Sequence, residues 1–232
     1  MSDAVLLAGD RYHRADDAFA GVGPALEAAG LEVDYITDVR LLDADLLRDV
    51  KLLSILRDGM EWPRGEDGPF SVWMEPNQEE AVESFVQRGG AFLPLHNAGW
   101  AYPWRNGYRR VMGGYYQGHP AVRSFEVAVV NPQHPITAGV SDYEIVDEQH
   151  FLWFDYDRVD LLLKSRGEDG KESAAGWAYE YGSGRVAYLA NGHTLEILRH
   201  EMVQRLLHNA VRWLLRLENR STAEETAVST AR

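Results

Sequence analysis

The stretch GGAFLPLHNAGW, residues 89–100, decides the fold prediction for this chain. A glycine pair precedes an apolar run over residues 91–95, which gives way abruptly to His96 and Asn97. A short apolar run between glycines and polar residues is typical of a buried strand that ends at a loop. In open α/β sheets, ligands bind just beyond the carboxyl ends of the strands. The stretch therefore predicts a central strand that delivers His96 to a candidate site.

The rest of the chain alternates between strand-like and helix-like segments. Apolar runs and apolar–polar alternation predict strands at residues 4–8, 31–38, 51–56, 91–95, 125–130, 161–165, 173–179 and 184–190. Helical spacing predicts helices at residues 17–29, 78–88 and 201–217, with a further helical turn from Asp43. Residues 60–77 lack a period and are predicted to be a loop. This order favours an α/β fold with a mostly parallel central sheet and helices on both faces.

We expect one domain over residues 1–217 and a disordered tail over 218–232, because the tail has no apolar pattern. The 232 residues are 45% hydrophobic and 25% charged, as in globular proteins with a full core. The formal net charge of −13 and the lack of a Lys/Arg cluster argue against nucleic acid or an anionic membrane as partners. The N-terminus lacks the pattern of a signal peptide, and no apolar run is long enough to span a membrane, so we expect a cytoplasmic location.

The chain contains no cysteine, which excludes disulfides, thiolate metal sites and a cysteine nucleophile. Other polar side chains follow the predicted strands: Asp10 with His13, Asp58, His96 and His193. Because the carboxyl ends of parallel strands share one sheet edge, we expect these residues to converge. A single histidine at a strand end is more often structural than catalytic. His96 and His193 both follow buried strands that reach the same sheet edge, and for this pair we expect a catalytic role to be more common than a structural one.

A carboxylate can join these histidines from the segment that contains Asp147 and Glu148. Adjacent residues of an extended segment point to opposite sides, so only one of the two can face the site. Two chemistries fit such a cluster: acid–base catalysis by a histidine that a carboxylate orients, or a divalent metal site with an open position. The spacing contains no local metal motif, and both chemistries stay open.

Six segments, in this order, resemble the trehalose-utilisation (ThuA-like) family: GGAFLPLHNAGW, GGYYQGHPAV, NPQHPITAGV, DEQHFLWF, GSGRVAYLANGHTLEIL and HNAVRWLL. The resemblance covers residues 4–215. It implies a flavodoxin-like three-layer α/β/α sandwich, similar to class I glutamine amidotransferases. In that fold the turn after the strand at 91–95 carries a nucleophilic cysteine, and this chain has His96 there. The catalytic histidine of that fold is matched by His193. Without the cysteine, glutamine hydrolysis through a thioester is excluded.

The resemblance also implies a role in the metabolism of trehalose, related disaccharides or glycosides oxidised at C3 of the sugar. The family tends to carry a histidine that matches His13 and a carboxylate that matches Glu148. It often has an aromatic residue near position 150, where this chain has His150, whose role is therefore left open. The acidic α-hydrogen of a 3-keto sugar suits a His or Glu base.

From the residues and the resemblance together, we expect the catalytic residues to be His96, Glu148 and His193, and the same three to be the ligands of any zinc or manganese ion. The residues expected to bind substrate are Asp10, His13, Asp58, Asn97, Trp100, His119 and Trp153. The expected partner is a small sugar or sugar derivative, with no nucleotide cofactor; a homo-oligomer built through the aromatic loops stays open. The alternative is a non-catalytic carbohydrate-binding or regulatory protein on a degenerate amidotransferase scaffold.

Overall fold

The fold is built on one nine-stranded sheet. The computed structural model describes residues 2–63, 68–100 and 107–217. The sheet strands, in chain order, are β1 (Ala4–Ala8), β2 (Val33–Ile36), β3 (Leu52–Leu56), β6 (Ala91–Pro94), β8 (Arg123–Val129), β9 (Tyr143–Asp147), β11 (Asp160–Gly167), β12 (Glu172–Tyr181) and β13 (Gly184–Leu189). Two further pairs lie outside it: β4 (Met60–Glu61) with β5 (Ser71–Val72), and β7 (Gly114–Gly118) with β10 (Phe151–Phe154).

The sheet has a parallel half and an antiparallel half. The order is β2-β1-β3-β6-β13-β12-β11-β8-β9, and the pairs from β2 to β13 are parallel. Every residue of β1 and β3 is buried, as expected for parallel strands covered on both faces. From β13 onward the pairs are antiparallel, and the predicted hairpin of residues 161–179 is the pair β11–β12. The predicted α/β fold with its large central sheet is confirmed.

Helices cover both faces of the sheet. They are α1 (Ala15–Ala28), α2 (Pro76–Gln87), α3 (Gly107–Met112), α4 (Leu195–Leu198) and α5 (Glu201–Leu214). Gly184 of β13 lies against the backbone of α2, and its neighbour Arg185 donates a hydrogen bond to the Trp213 carbonyl at 2.6 Å in α5. Successive strand residues point to opposite faces, so α2 and α5 lie on opposite sides and the fold is an α/β/α sandwich.

Two local predictions were wrong. Residues from Asp43 form turns and not a helix. The Leu47 N–H bonds to the Asp43 carbonyl, but the next N–H, of Arg48, bonds to Asp45 only three residues back, so the helical ladder is not continued. The helical turn in this region is a 3₁₀ helix at Val39–Leu41. The predicted loop over residues 60–77 contains the pair β4–β5 and the start of α2. Helix α2 begins at Pro76 because Glu75 and Gln78 form a capping box.

The predicted tail, residues 218–232, lies outside the described residues. In the part of the chain that the structure describes, no helix combines the length and the apolar character needed to cross a membrane.

Candidate metal centre

Four side chains from distant parts of the sequence meet at the carboxyl edge of the parallel half of the sheet. They are His13, His96, Glu148 and His193, and one potential ligand atom from each lies within 4.8 Å of the others. His13 follows β1, His96 follows β6, and His193 follows β13. Glu148 follows β9, the edge strand of the antiparallel half. The sheet therefore brings together the three residues predicted to be metal ligands and adds His13 to them.

His96 is completely buried and its ring is held in one orientation. Its backbone φ of 48° lies in the left-handed region, in a 3₁₀ helix (His96–Gly99) directly after the strand. Its Nδ1 lies 2.8 Å from the carbonyl oxygen of Ala190, and the Tyr188 hydroxyl donates to the His96 carbonyl at 2.7 Å. A carbonyl oxygen can only accept, so Nδ1 carries a proton. Nε2 is then the atom that faces the site.

His13 is oriented in the same way by a carboxylate. Its Nδ1 lies 2.9 Å from both carboxylate oxygens of Asp10, so this nitrogen is the donor and Nε2 faces the site. Asp10 is itself fixed by the backbone N–H groups of Tyr12, His13 and Asp58, at 2.7, 2.9 and 2.8 Å. Metal-binding histidines usually donate their second N–H to a carboxylate or a carbonyl. Both His13 and His96 show this arrangement.

Glu148 and His193 complete the cluster. His193 Nδ1 lies 3.2 Å from His13 Nε2 and 3.4 Å from Glu148 Oε2. The neighbouring Asp147 points away from the histidines, and its Oδ2 accepts from Asn191 Nδ2 at 3.3 Å and from the Gly192 backbone N–H at 3.1 Å. One carboxylate thus faces the site while the other holds the loop that carries His193.

The spacing of the donor atoms suits a divalent ion. His96 Nε2 lies 3.3 Å from Glu148 Oε2, two of the other five donor pairs lie at 3.2 and 3.4 Å, and all six lie within 4.8 Å. Four ligands at about 2.0–2.1 Å in a tetrahedron lie about 3.3 Å apart. His96 Nε2 is buried and makes no hydrogen bond of good geometry within the described residues. The donor set and this unbonded nitrogen fit a metal ion.

Burial and mutual charge set the protonation of the cluster. Burial alone would lower the pKa of His96, but the Glu148 carboxylate 3.3 Å away and the charge of Asp147 raise that pKa above its usual value. Burial would raise the pKa of Glu148, but the nearby His150 and His96 imidazoles hold it well below its usual range. Burial lowers the pKa values of His193 and His150. Without a metal, Glu148 is therefore ionised, and its charge favours the protonated form of the His96 imidazole.

The other predicted substrate-binding residues are spread more widely. Asp58 is buried, and burial raises its pKa to about 7; its backbone carbonyl accepts from Trp73 Nε1 at 2.8 Å. Asn97 is also buried, and its Oδ1 has no hydrogen-bond partner among the described residues. Trp100 contacts Phe70, with ring centroids 5.5 Å apart.

His119 belongs to the site and Trp153 does not join it. His119 Nε2 lies 3.6 Å from Glu148 Oε1. Trp153 pairs with Tyr115 across β7 and β10, and the two rings stack at 5.7 Å. Tyr116, the next residue of β7, packs against His150 at 4.8 Å. Side chains alternate along a strand, so the face of Tyr115 and Trp153 is turned away from the histidines.

Sequence reasoning missed two residues beside the cluster. His150, whose role was left open, stacks on His96 with ring centroids 4.1 Å apart, and its Nε2 lies 3.4 Å from Glu148 Oε2. Tyr116 covers His150 from β7. The run of aromatic residues in GGYYQGHP was the one available signal for Tyr116, and it does not say which of the two tyrosines faces inward.

Comparisons with known proteins agree with the fold. Residues 5–214 match the ThuA family, which is described as trehalose utilisation. A search of curated proteins finds no significant match. Among solved structures, a ThuA-like protein from Parabacteroides merdae has a TM-score of 0.72 at 16% identity, covering 91% of this chain and 89% of its own.

A ThuA-like protein from Bacteroides uniformis has a TM-score of 0.71 at 18% identity, covering 91% of this chain and 90% of its own. A cytoplasmic protein from Salmonella typhimurium has a TM-score of 0.63 at 13% identity, covering 92% and 99%. These structures share the fold, and the family match spans nearly all of the described chain. The chain belongs to the ThuA (trehalose utilisation) family.

Proposed function

We propose that this protein is a metal-dependent enzyme of carbohydrate metabolism that acts on a sugar derivative, with 3-keto-glycosides as the first substrates to test. The observation that carries the proposal is the cluster of His13, His96, Glu148 and His193, whose potential ligand atoms lie within 4.8 Å of one another. A cytoplasmic location, which is how the similar Salmonella protein is described, is part of the proposal.

The donor atoms favour a zinc- or manganese-type ion. Three imidazole nitrogens and a carboxylate oxygen suit these metals, and the absence of cysteine in the sequence excludes a thiolate ligand. The Asp10 carboxylate and the Ala190 carbonyl fix two of the imidazoles with Nε2 toward the site. A bound divalent ion would supply Lewis-acid polarisation of a sugar carbonyl or a bound water of lowered pKa.

The residues around the ligands can bind a sugar and handle protons. Aromatic rings form a row that starts beside His13: Tyr12 lies 5.8 Å from Trp62, Trp62 lies 6.1 Å from Phe70, and Phe70 lies 5.5 Å from Trp100. Tyr12 and Phe70 are about half exposed, so a ligand can reach the row. Aromatic walls with a few polar groups are typical of small-molecule pockets. This row is our candidate sugar-binding wall.

Elemental analysis and turnover of the same preparations test the proposal. The wild type should contain near-stoichiometric divalent metal after incubation with Zn²⁺ or Mn²⁺, and His96→Ala and His193→Ala should lose it. His208, on the outer side of α5, provides the matched control: His208→Ala should keep the metal. Turnover of 3-keto-glycosides should follow metal content across these variants.

Two results would separate the alternatives. Wild-type protein that takes up no ion would refute the metal site and leave metal-free acid–base catalysis by His96, His193 and Glu148. Stoichiometric metal and calorimetric binding of disaccharides, with no turnover of any sugar derivative, would instead favour the non-catalytic carbohydrate-binding protein.

A further inference from the structure

Glu148 faces histidines on both of its oxygens. Oε2 lies near His96, His193 and His150, at 3.3, 3.4 and 3.4 Å. Oε1 lies 3.6 Å from Nε2 of His119, which arrives from the loop after β7. The four residues of the metal centre use one side of this carboxylate. Two histidines that the centre does not use also border this carboxylate: His119 at Oε1, and His150 at the same Oε2 that faces His96 and His193.

His119 is oriented as a ligand would be. Its Nδ1 lies 2.7 Å from the carbonyl oxygen of Pro120, so Nδ1 carries a proton and Nε2 is the ring atom that faces Glu148 Oε1. A cation held between this Nε2 and the carboxylate would be bound by both. His96 shows the same arrangement, with Nδ1 on a carbonyl and Nε2 toward Glu148.

The stacked rings of His96 and His150 indicate where a second ion would sit. Their centroids lie 4.1 Å apart with 22° between the planes, and both Nε2 atoms approach Glu148 Oε2. Ions bound to two such parallel rings would lie about as far apart as the rings. Paired catalytic metal ions are typically about 3.5–4 Å apart.

Ring spacing supports the same conclusion. The centroids of His119 and His150 lie 5.6 Å apart. The three imidazole pairs of the first centre lie at 4.9, 5.1 and 5.7 Å. His119 and His150 are thus spaced like the histidine pairs of the proposed first centre. His150 is buried, while the His119 side chain is 30% exposed, which gives this side of Glu148 access to solvent.

We propose that Glu148 bridges two divalent ions, the second held by His119 and His150. This inference rests on the proposed function, because the second ion needs the first centre. A bridging carboxylate would place the second ion on the open side of the first, where it can contact a sugar oxygen.

Metal stoichiometry tests the second site. Metal-free protein is titrated with Zn²⁺ and with Mn²⁺ by calorimetry, and bound metal is counted by elemental analysis after equilibrium dialysis. The wild type is expected to bind two ions, and His119→Gln and His150→Phe one each. Phenylalanine keeps the stack on His96. His208→Gln is the control and should bind two. Exchange coupling between two Mn²⁺ ions in electron paramagnetic resonance would show that they are neighbours.

Each outcome decides a separate question. One ion in the wild type would overturn the second site and leave the first centre intact. No ion would overturn both. Two ions in His119→Gln with the exchange coupling retained would remove His119 from the site and overturn the proposal as stated. Because His119 lies at the rim, this test stands even if His150→Phe does not fold, which circular dichroism would report.

Discussion

Asp58→Asn should stabilise the metal-free protein at alkaline pH. The Asp58 side chain is 1% exposed, and burial raises its pKa from 3.8 to about 7. The folded protein therefore favours the protonated carboxyl. Its contribution to stability is complete below the unfolded pKa near 4 and is lost as the pH rises through about 7. Asparagine is neutral throughout and keeps an acceptor for the Met60 backbone N–H.

The size of the effect follows from the shift. A difference of about 3 pKa units at 1.36 kcal/mol per unit gives an upper bound of about 4 kcal/mol in favour of Asp58→Asn at pH 8. At pH 4 this charge-related advantage vanishes. The measurement is urea unfolding of both proteins from pH 4 to 8 with chelator present, since a bound cation would itself lower the pKa. The histidines titrate in both proteins, so the difference between the two curves isolates Asp58.

A second variant, Asp38→Asn, is the control for the direction of the stability change. The Arg40 side chain lowers the pKa of Asp38 to about 2, and the Asp38 side chain is 37% exposed. Its favourable charge is present above its ordinary pKa, so Asp38→Asn should be no more stable than the wild type at pH 8. If the difference in the free energy of unfolding between the wild type and Asp58→Asn does not change from pH 4 to pH 8, the reasoning about Asp58 is refuted.

Three further predictions concern the metal centre and the sheet. Chelator should lower the melting temperature by about 5–10 °C if the ion is present at about 100 times its Kd, where it contributes about 2.7 kcal/mol; calorimetry that finds no change contradicts the metal site. Asp10→Asn should weaken metal binding about 10–100-fold in titrations while the fold is kept, because it loosens His13; equal affinity would mean that Asp10 does not orient a ligand. Gly184→Ala should cost about 3 kcal/mol in urea unfolding, because its Cβ would meet the carbonyl oxygens of Gly90 and Val86. Gly170→Ala, in an open turn with φ of +75°, should cost about 1–2 kcal/mol, and an equal loss in both would contradict the packing argument.

Local sequence patterns were enough to predict the strands that deliver the histidines. The apolar runs before His96 and His193 are buried on both sides, so their composition is distinctive, and the polar residue that follows marks the strand end. The choice between Asp147 and Glu148 was not predictable in this way. The choice depends on the loop at Asn191. Asn191 Nδ2 donates a hydrogen bond to Asp147, so Glu148 is the carboxylate that faces the histidines.

The surroundings of the cluster depend on tertiary structure. His119 and His150 reach Glu148 because β7 and β10 form a two-stranded ribbon over the edge of the main sheet. Both strands are short, and their glycine and aromatic residues are common in loops as well. Trp153 shows why sequence proximity alone does not identify site residues. It lies in the same aromatic segment as His150, but the alternation of side chains along β10 turns it away from the histidines.

The position of the four clustered residues along the chain also has a consequence for how the protein folds. His13 and His193 touch across 180 positions of sequence. Contacts between such remote residues form late in folding, because closing the long loop between them costs conformational entropy before the contact contributes any stabilisation. The Glu148 carboxylate also comes from the far edge of the sheet. An ion at the proposed centre would thus find its complete set of donors only after residues 13–193 have been synthesised and folded. Metal uptake would then follow folding of the sheet and not guide it.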